Sequence, residues 1–166
     1  LSANVLRQLG VGALLLADVE RARTYLTEAA ERYRAGGFRP RAALTLVDLG
    51  TLERQAKRGD KAEAAIREAI GLLDAADNAS ILADARSLQG ELALDRNDDA
   101  AAAEALAAAR NAVREQGFYA GMQRLDLLAA RIALAHGDLA AAREAGAQVG
   151  RRASAARDPL FAIEAG

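Results

Sequence analysis

The chain holds 166 residues, inside the usual range for one domain. With 22 Lys+Arg against 23 Asp+Glu its formal net charge is -1, which argues against direct nucleic-acid binding, since dedicated binders carry a basic excess. No Cys and a single His exclude disulfides, Cys-ligated metal centres and multi-histidine metal sites.

The composition reads as helix: 44 Ala and 24 Leu dominate, while the strand formers Val, Ile, Thr and the aromatics are scarce. A membrane span needs about 20 consecutive apolar residues. The longest uncharged apolar run, residues 11–17, stops at Asp18, so no membrane partner is expected. Helical stretches and turn signals alternate along the chain. Helices are expected over 2–16 and 19–35, parted at Asp18 and closed by Gly36-Gly37. The next pair covers 39–58 and 60–76, parted by Gly59-Asp60 and closed by Asp77-Asn78. The third covers 79–96 and 98–116, parted by Asn97-Asp98-Asp99 and closed by Gly117. The fourth covers 119–136 and 138–156, parted by Gly137-Asp138, and Asp158-Pro159 opens a ninth helix. At each midpoint Asp or Asn caps the following helix and Gly ends the preceding one. Gly59-Asp60 lies two places late in the resulting register, which makes the third helix about two residues longer.

The register is an internal repeat of 40 residues. Gly10, Gly50 and Gly90 share a column with Ala130, and Ala22, Ala62, Ala102 and Ala142 share another. Leu26, Ile66, Leu106 and Gly146 follow, then Ala29, Ala69, Ala109 and Val149, then Tyr33, Leu73, Val113 and Ala153. The spacings between the last four columns are helical, so they share one face of the second helix of each unit. Small Ala residues there admit a close neighbour, and the bulkier column fills the gaps between them. Gly inside a helix costs about 0.5–1 kcal/mol against Ala, so its recurrence at one position points to a crossing too close for a side chain.

Leu9-Gly10 and Leu49-Gly50, followed by Ala22/Leu26/Ala29, Ala62/Ile66/Ala69 and Ala102/Leu106/Ala109, resemble the signature of the tetratricopeptide repeat. The fourth unit, with Ala142/Gly146/Val149, is degenerate. The period exceeds the family's usual length of about 34. The closing Pro is missing, and the family's first-helix aromatic is replaced by Leu6, Leu46, Arg86 and Asp126. The resemblance implies an all-α fold of antiparallel helix hairpins stacked as a right-handed α-solenoid. It would be a single repeat domain over 1–166, with units 1–37, 38–77, 78–117 and 118–157 and a partial fifth at 158–166. Long, Ala/Arg-rich, Pro-poor repeats of this kind are similar to those of maltose-regulator-type and related ATP-dependent signalling proteins of bacteria. The expected setting is a sensor or scaffold module within a larger cytoplasmic regulator, of which this chain is a piece.

Little in the sequence offers chemistry. No P-loop motif occurs, and Gly10-Val11-Gly12 follows no strand, so a dinucleotide fingerprint is unsupported. Residues 95–99 are acidic but lack the Gly and terminal Glu of a calcium loop, and read as a solvated turn. His136 stands in the last turn of a helix, where a cation is mildly favoured. Tyr25, Tyr33 and Phe118-Tyr119 read as packing residues. Arg39-Pro40-Arg41, Lys57-Arg58 and Arg151-Arg152 read as solvated basic groups. The expectation is a non-enzyme that needs no cofactor and no metal.

Tetratricopeptide arrays bind protein or peptide segments on a concave surface lined by first helices. Carried over by column, that groove would comprise Asn4, Arg7, Val11 and Leu14, then Leu44, Val47, Asp48, Thr51 and Arg54. It would continue through Asp84, Ser87, Leu88, Glu91 and Leu94 to Arg124, Leu127, Leu128, Arg131 and Leu134. Apolar side chains with scattered Arg suit an amphipathic helix or an extended peptide. The family's clamp for a terminal carboxylate, two Lys and two Asn, is absent. The alternative is a structural module that self-associates through the apolar ends of the solenoid.

Overall fold

The computed structural model describes residues 1–73, 78–114 and 121–155. They form α1 (Ala3–Leu15), α2 (Val19–Ala35), α3 (Arg39–Gln55), α4 (Gly59–Gly71), α5 (Ala79–Asp95), α6 (Asp99–Ala112), α7 (Met122–Ala135) and α8 (Leu139–Ala155). No strand occurs among the described residues, and no helix there is long and apolar enough to cross a membrane. The expected turn at Gly117, the aromatic pair Phe118-Tyr119 and the ninth helix at Pro159 lie outside the described residues.

The hairpins turn at one point of the register. Ala17, Lys57, Asn97 and Gly137 all adopt left-handed backbone, with φ of 58°, 60°, 59° and 72°. In each case the next amide reaches back to close the helix: Asp18 N to Ala13 O, Arg58 N to Glu53 O, Asp98 N to Ala93 O and Asp138 N to Ala133 O, at 2.8–2.9 Å. This is the hydrogen-bond pattern of a Schellman cap. Asp18, Asp98 and Asp138 then accept a backbone N–H from Arg21, Ala101 and Ala141, so one residue both ends its turn and caps the next helix.

These turns correct the expected length of the third helix. α3 ends at Gln55, as α1 ends at Leu15, and the second turn is Ala56-Lys57-Arg58. Gly59 opens α4 instead of ending α3. The sequence misleads there because Lys57 occupies a position that prefers Gly or Asn, and Arg58 stands where the other units carry a capping Asp. α4 also ends early, at Gly71, against an expected end at 76. Between the first two units Gly37 supplies the left-handed residue, with φ of 75°, and Phe38 N donates to Tyr33 O at 2.9 Å. The Phe38 ring meets the Tyr33 ring edge-on with centroids 6.4 Å apart, the apolar contact that commonly accompanies this cap.

The glycine column faces the partner helix. A Cβ on Gly10 would lie 2.7 Å from Leu26 Cγ, and Leu26 is fully buried. On Gly50 it would lie 3.0 Å from Ile66 Cδ1 and 3.3 Å from Leu88. On Gly90 the nearest atom is Leu128 Cδ2 at 2.8 Å, followed by the Ala102 carbonyl at 3.3 Å, so the third unit presses on the following first helix as well as on its own partner. Ala22, Ala62 and Ala102 are fully buried beside these crossings, with Ile66 and Leu106 also in the core. The fourth hairpin departs: Ala142 is 9% exposed, and a Cβ on Gly146 would meet nothing within 4 Å.

The core is a chain of local clusters. Leu26 and Leu52 join α1–α3, while Leu46, Ile66, Leu88 and Leu92 join α3–α5. Leu106, Leu125, Leu128 and Ile132 join α6 and α7 to α5. Each fully buried Leu contributes about 1.5–3 kcal/mol. Consecutive helices pack as antiparallel hairpins, and α1, α3, α5 and α7 also touch in succession. Among the described residues the second helices make no comparable approach to one another. An array whose first helices meet and whose second helices splay curves with the first helices inside. The architecture is an all-α helical-repeat solenoid.

The crossing can be tested within one helix. Gly10→Ala, pressed against Leu26, is expected to destabilise by about 1–3 kcal/mol. Gly12→Ala, two residues on with nothing near its added Cβ, is expected to stabilise by about 0.5–1 kcal/mol. Urea unfolding midpoints check both, and a shared sign refutes the close crossing.

Candidate interaction surface

Because the first helices touch, their inner side chains meet across repeat boundaries. Arg7 Nε on α1 donates to Asp48 Oδ2 on α3 at 2.7 Å. Arg54 on α3 pairs with Glu91 and, through Nε at 2.6 Å, with Asp95, both on α5. Arg131 on α7 reaches the same Asp95 at 3.6 Å, and Arg124 approaches Asp84 at 3.6 Å. The charges expected to read a ligand thus already form a ladder along the first helices.

Two carboxyls of this ladder titrate in opposite senses. Burial pushes the Asp48 carboxyl up, further than Arg7 pulls it down. The hydrogen bond from Arg54 holds Asp95 below its ordinary value, against a smaller opposing effect of burial. Arg54 is in turn raised, chiefly by the bond to Asp95.

The other expected groove residues divide. Ser87 is fully buried and Leu128 is 1% exposed. Neither lines an accessible surface, and Leu128 instead fills the space beside Gly90. Val47 and Leu88 are core residues too. Column position alone did not resolve this, because a first helix packed on both its hairpin partner and its neighbours buries more than one face. Thr51 bonds back to the Val47 carbonyl at 3.0 Å, and Val11, Leu14 and Leu94 are half-buried against the core. Asn4 is exposed. On α7, Leu127 and Leu134 are 53% and 57% exposed and alternate with Arg124 and Arg131 at helical spacing, an open Arg-Leu-Arg-Leu stripe.

Several residues read as solvated are structural. Asp95 belongs to α5 and is the hinge of the ladder, while Asp98 caps α6, as its place at the midpoint of the unit led one to expect. Arg152, expected on a solvated face, meets the buried Asp126 at 2.7 Å, with Arg110 at 3.6 Å on the other oxygen. Asp126 stands in the column where Leu6 and Leu46 are core, so the fourth unit replaces an apolar contact by a carboxylate held between two guanidiniums. Arg23 meets the nearly buried Glu53 at 2.6 Å and also reaches Glu20. That pairing holds the Arg23 pKa well up and fastens α2 to α3. Arg58 lies 3.9 Å from Glu53. Sequence reasoning missed the pairs between helices because the partners lie 16–30 positions apart and recur in no other unit. His136 caps the end of α7 with its Nε2 3.9 Å from Asp99. Among the described residues no three His, Cys, Asp or Glu side chains converge as metal ligands would.

Two experiments follow from this geometry. Ser87 Oγ is buried with no hydrogen-bond partner among the described residues, so Ser87→Ala is expected to raise stability by about 1 kcal/mol, read in urea. The carboxyls predict pH dependences of opposite sign. A raised Asp48 pKa means that wild-type stability falls as pH climbs from the ordinary carboxylate value through the raised one. Asp48→Asn, always neutral, must then gain on wild type as pH rises across that window. The lowered Asp95 contributes stability that is full above its ordinary value and lost as pH falls through its folded value. Asp95→Asn is therefore expected to lie about 0.5–1 kcal/mol below wild type near neutrality and to converge with it in acid. Unfolding midpoints of the three proteins between about pH 3 and 7 test both signs.

Against known proteins, no family model matches the chain, and no curated protein matches it. Among solved structures it is similar to BtubC (BKLC) from P. vanneervenii, with a TM-score of 0.73 at 16% sequence identity. The alignment covers 94% of this chain and 65% of that one, so the chain spans a little under two thirds of the length of that neighbour. At this identity the likeness concerns the fold, and it places the chain among all-helical proteins of that architecture.

Proposed function

We propose that the chain is a tetratricopeptide-type interaction module: a non-catalytic scaffold that binds a protein or peptide segment along its first helices, within a larger cytoplasmic regulatory protein of bacteria. The observation that carries this reading is the open stripe Arg124-Leu127-Arg131-Leu134 on α7, continuous with the ladder of the inner face. Its alternation of cation and aliphatic side chain at helical spacing is complementary to an amphipathic helix with acidic residues beside its apolar face. Arg124 and Arg131 hold their carboxylates only at 3.6 Å, so an incoming acid can compete for them, whereas the tighter Arg54 pairs fix the neighbouring repeats. The 40-residue recurrence and the glycine-leucine crossings support the family reading.

A second reading, homo-oligomerisation, is favoured by exposed leucines at both ends of α1: Leu15 and Leu16 at its C-terminal end are 82% and 83% exposed, and Leu1 ahead of its N-terminal end is 72% exposed. Light scattering over a concentration series separates the two. A strict monomer counts against self-association.

The test of the scaffold reading uses acidic amphipathic peptides selected from a library on the immobilised protein. Arg131→Ala and Leu134→Ala are each expected to weaken the selected peptides by about 1–2 kcal/mol, while Glu104→Ala on the outer α6 leaves binding unchanged. Weakening by Glu104→Ala with both inner variants intact would make the outer face the working surface.

A further inference from the structure

Three substitutions against the repeat fall on one cleft. Between α4 and α5 lies a half-open cavity of about 240 Å³, lined by Glu63, Ile66, Arg67 and Ile70 on α4, by Arg86, Gln89 and Leu92 on α5 and by Arg96 just past its end. Arg86 stands in the column that places Leu6 and Leu46 in the core, Arg67 replaces Thr27 and Ala107, and Arg96 replaces Ala56 and His136. Where Leu46 fills its place, Arg86 turns aside to bond Gln89 Oε1 at 2.9 Å and leaves space over Ile66 and Leu92. The rim carries three guanidiniums against one carboxylate. Arg96 pairs with Glu63, Arg86 has an amide as its partner, and no carboxylate among the described residues engages Arg67. The floor is aliphatic.

We infer that this cleft is a binding site for a small organic anion, with a carboxylate or phosphate head between Arg67 and Arg86 and a short aliphatic body against Ile66, Ile70 and Leu92. Guanidiniums bind either head through paired N–H donors, and a partly enclosed apolar wall strengthens that attraction over its value in open water. The volume falls below the range of about 300–1,000 Å³ typical of drug-sized ligands, which restricts the body to a few carbons. The site opens between α4 and α5, on a different face of α5 from the Glu91–Asp95 ladder, so it is independent of the peptide surface proposed above. It joins the second unit to the third, where a bound molecule would contact both.

The experiment titrates the protein with hexanoate, hexyl phosphate, inorganic phosphate and hexanol, reading arginine Nε–H resonances by NMR. Saturable shifts are expected at Arg67 and Arg86 with hexanoate, hexyl phosphate or both, and the two arms identify the head group. Hexanol and inorganic phosphate, each lacking half of the recognition, are expected to bind at least tenfold more weakly. Arg86→Leu, which restores the residue type of the first two units, should weaken the anion at least tenfold, and so should Arg67→Gln at an exposed position that the fold does not need. Arg54→Gln on the inner ladder should leave it within twofold. Absence of saturable shifts with both amphipathic anions, binding that survives both cleft variants, or equal loss with Arg54→Gln overturns the assignment.

Discussion

The structure depends on how closely two helices of a hairpin can cross. At Gly10 and Gly50 the first helix carries no side chain, and the branched residue sixteen positions later occupies that space. A Leu or Ile seated on a bare backbone gains contacts on every side, which offsets the helix cost of the glycine. The Ala columns beside it extend the same close approach along the hairpin. Once the crossing distance is set, the turn must reverse the chain in the residues between, and the left-handed positions 17, 57, 97 and 137 do so.

Close hairpins then govern the stacking. With the second helices splayed, successive first helices come near enough for an arginine on one to reach carboxylates on the next. The ladder from Arg7 to Arg131 follows from that curvature and adds polarity to a surface that apolar packing alone would leave featureless. Its members range from about a fifth to just under a half exposed, so each pair contributes modestly. They add to the apolar contacts that join neighbouring units.

The departures from the repeat are where the individuality of the chain lies. The column that is Leu in the first two units becomes Arg86 in the third and Asp126 in the fourth. One opens a basic cleft, and the other is neutralised between Arg152 and Arg110. The same position therefore serves as core, as cleft wall and as ion-pair centre, according to the charges that neighbouring helices bring to it.

The sequence by itself determined the helical class, the 40-residue period and the register of the four hairpins, because these depend on local spacing and on glycine, alanine and leucine at recurring positions. It also located the Gly10, Gly50 and Gly90 crossings, since a repeated helix-interior glycine has few other physical reasons. The second turn was misread because Lys57 and Arg58 carry none of the usual turn chemistry, and the turn forms where the packed hairpin of α3 and α4 reverses the chain. Only the tertiary structure decided which first-helix residues are accessible. Ser87 and Leu128 share the helical spacing of Arg54 and Arg131, yet they are buried, because burial there depends on how closely the helices one and two elements away pack. The pairing of Asp95 with two arginines, of Asp126 with Arg152 and of Glu53 with Arg23 was likewise invisible, since an ion pair between elements follows from the angle at which they pack and leaves no periodic trace in the chain.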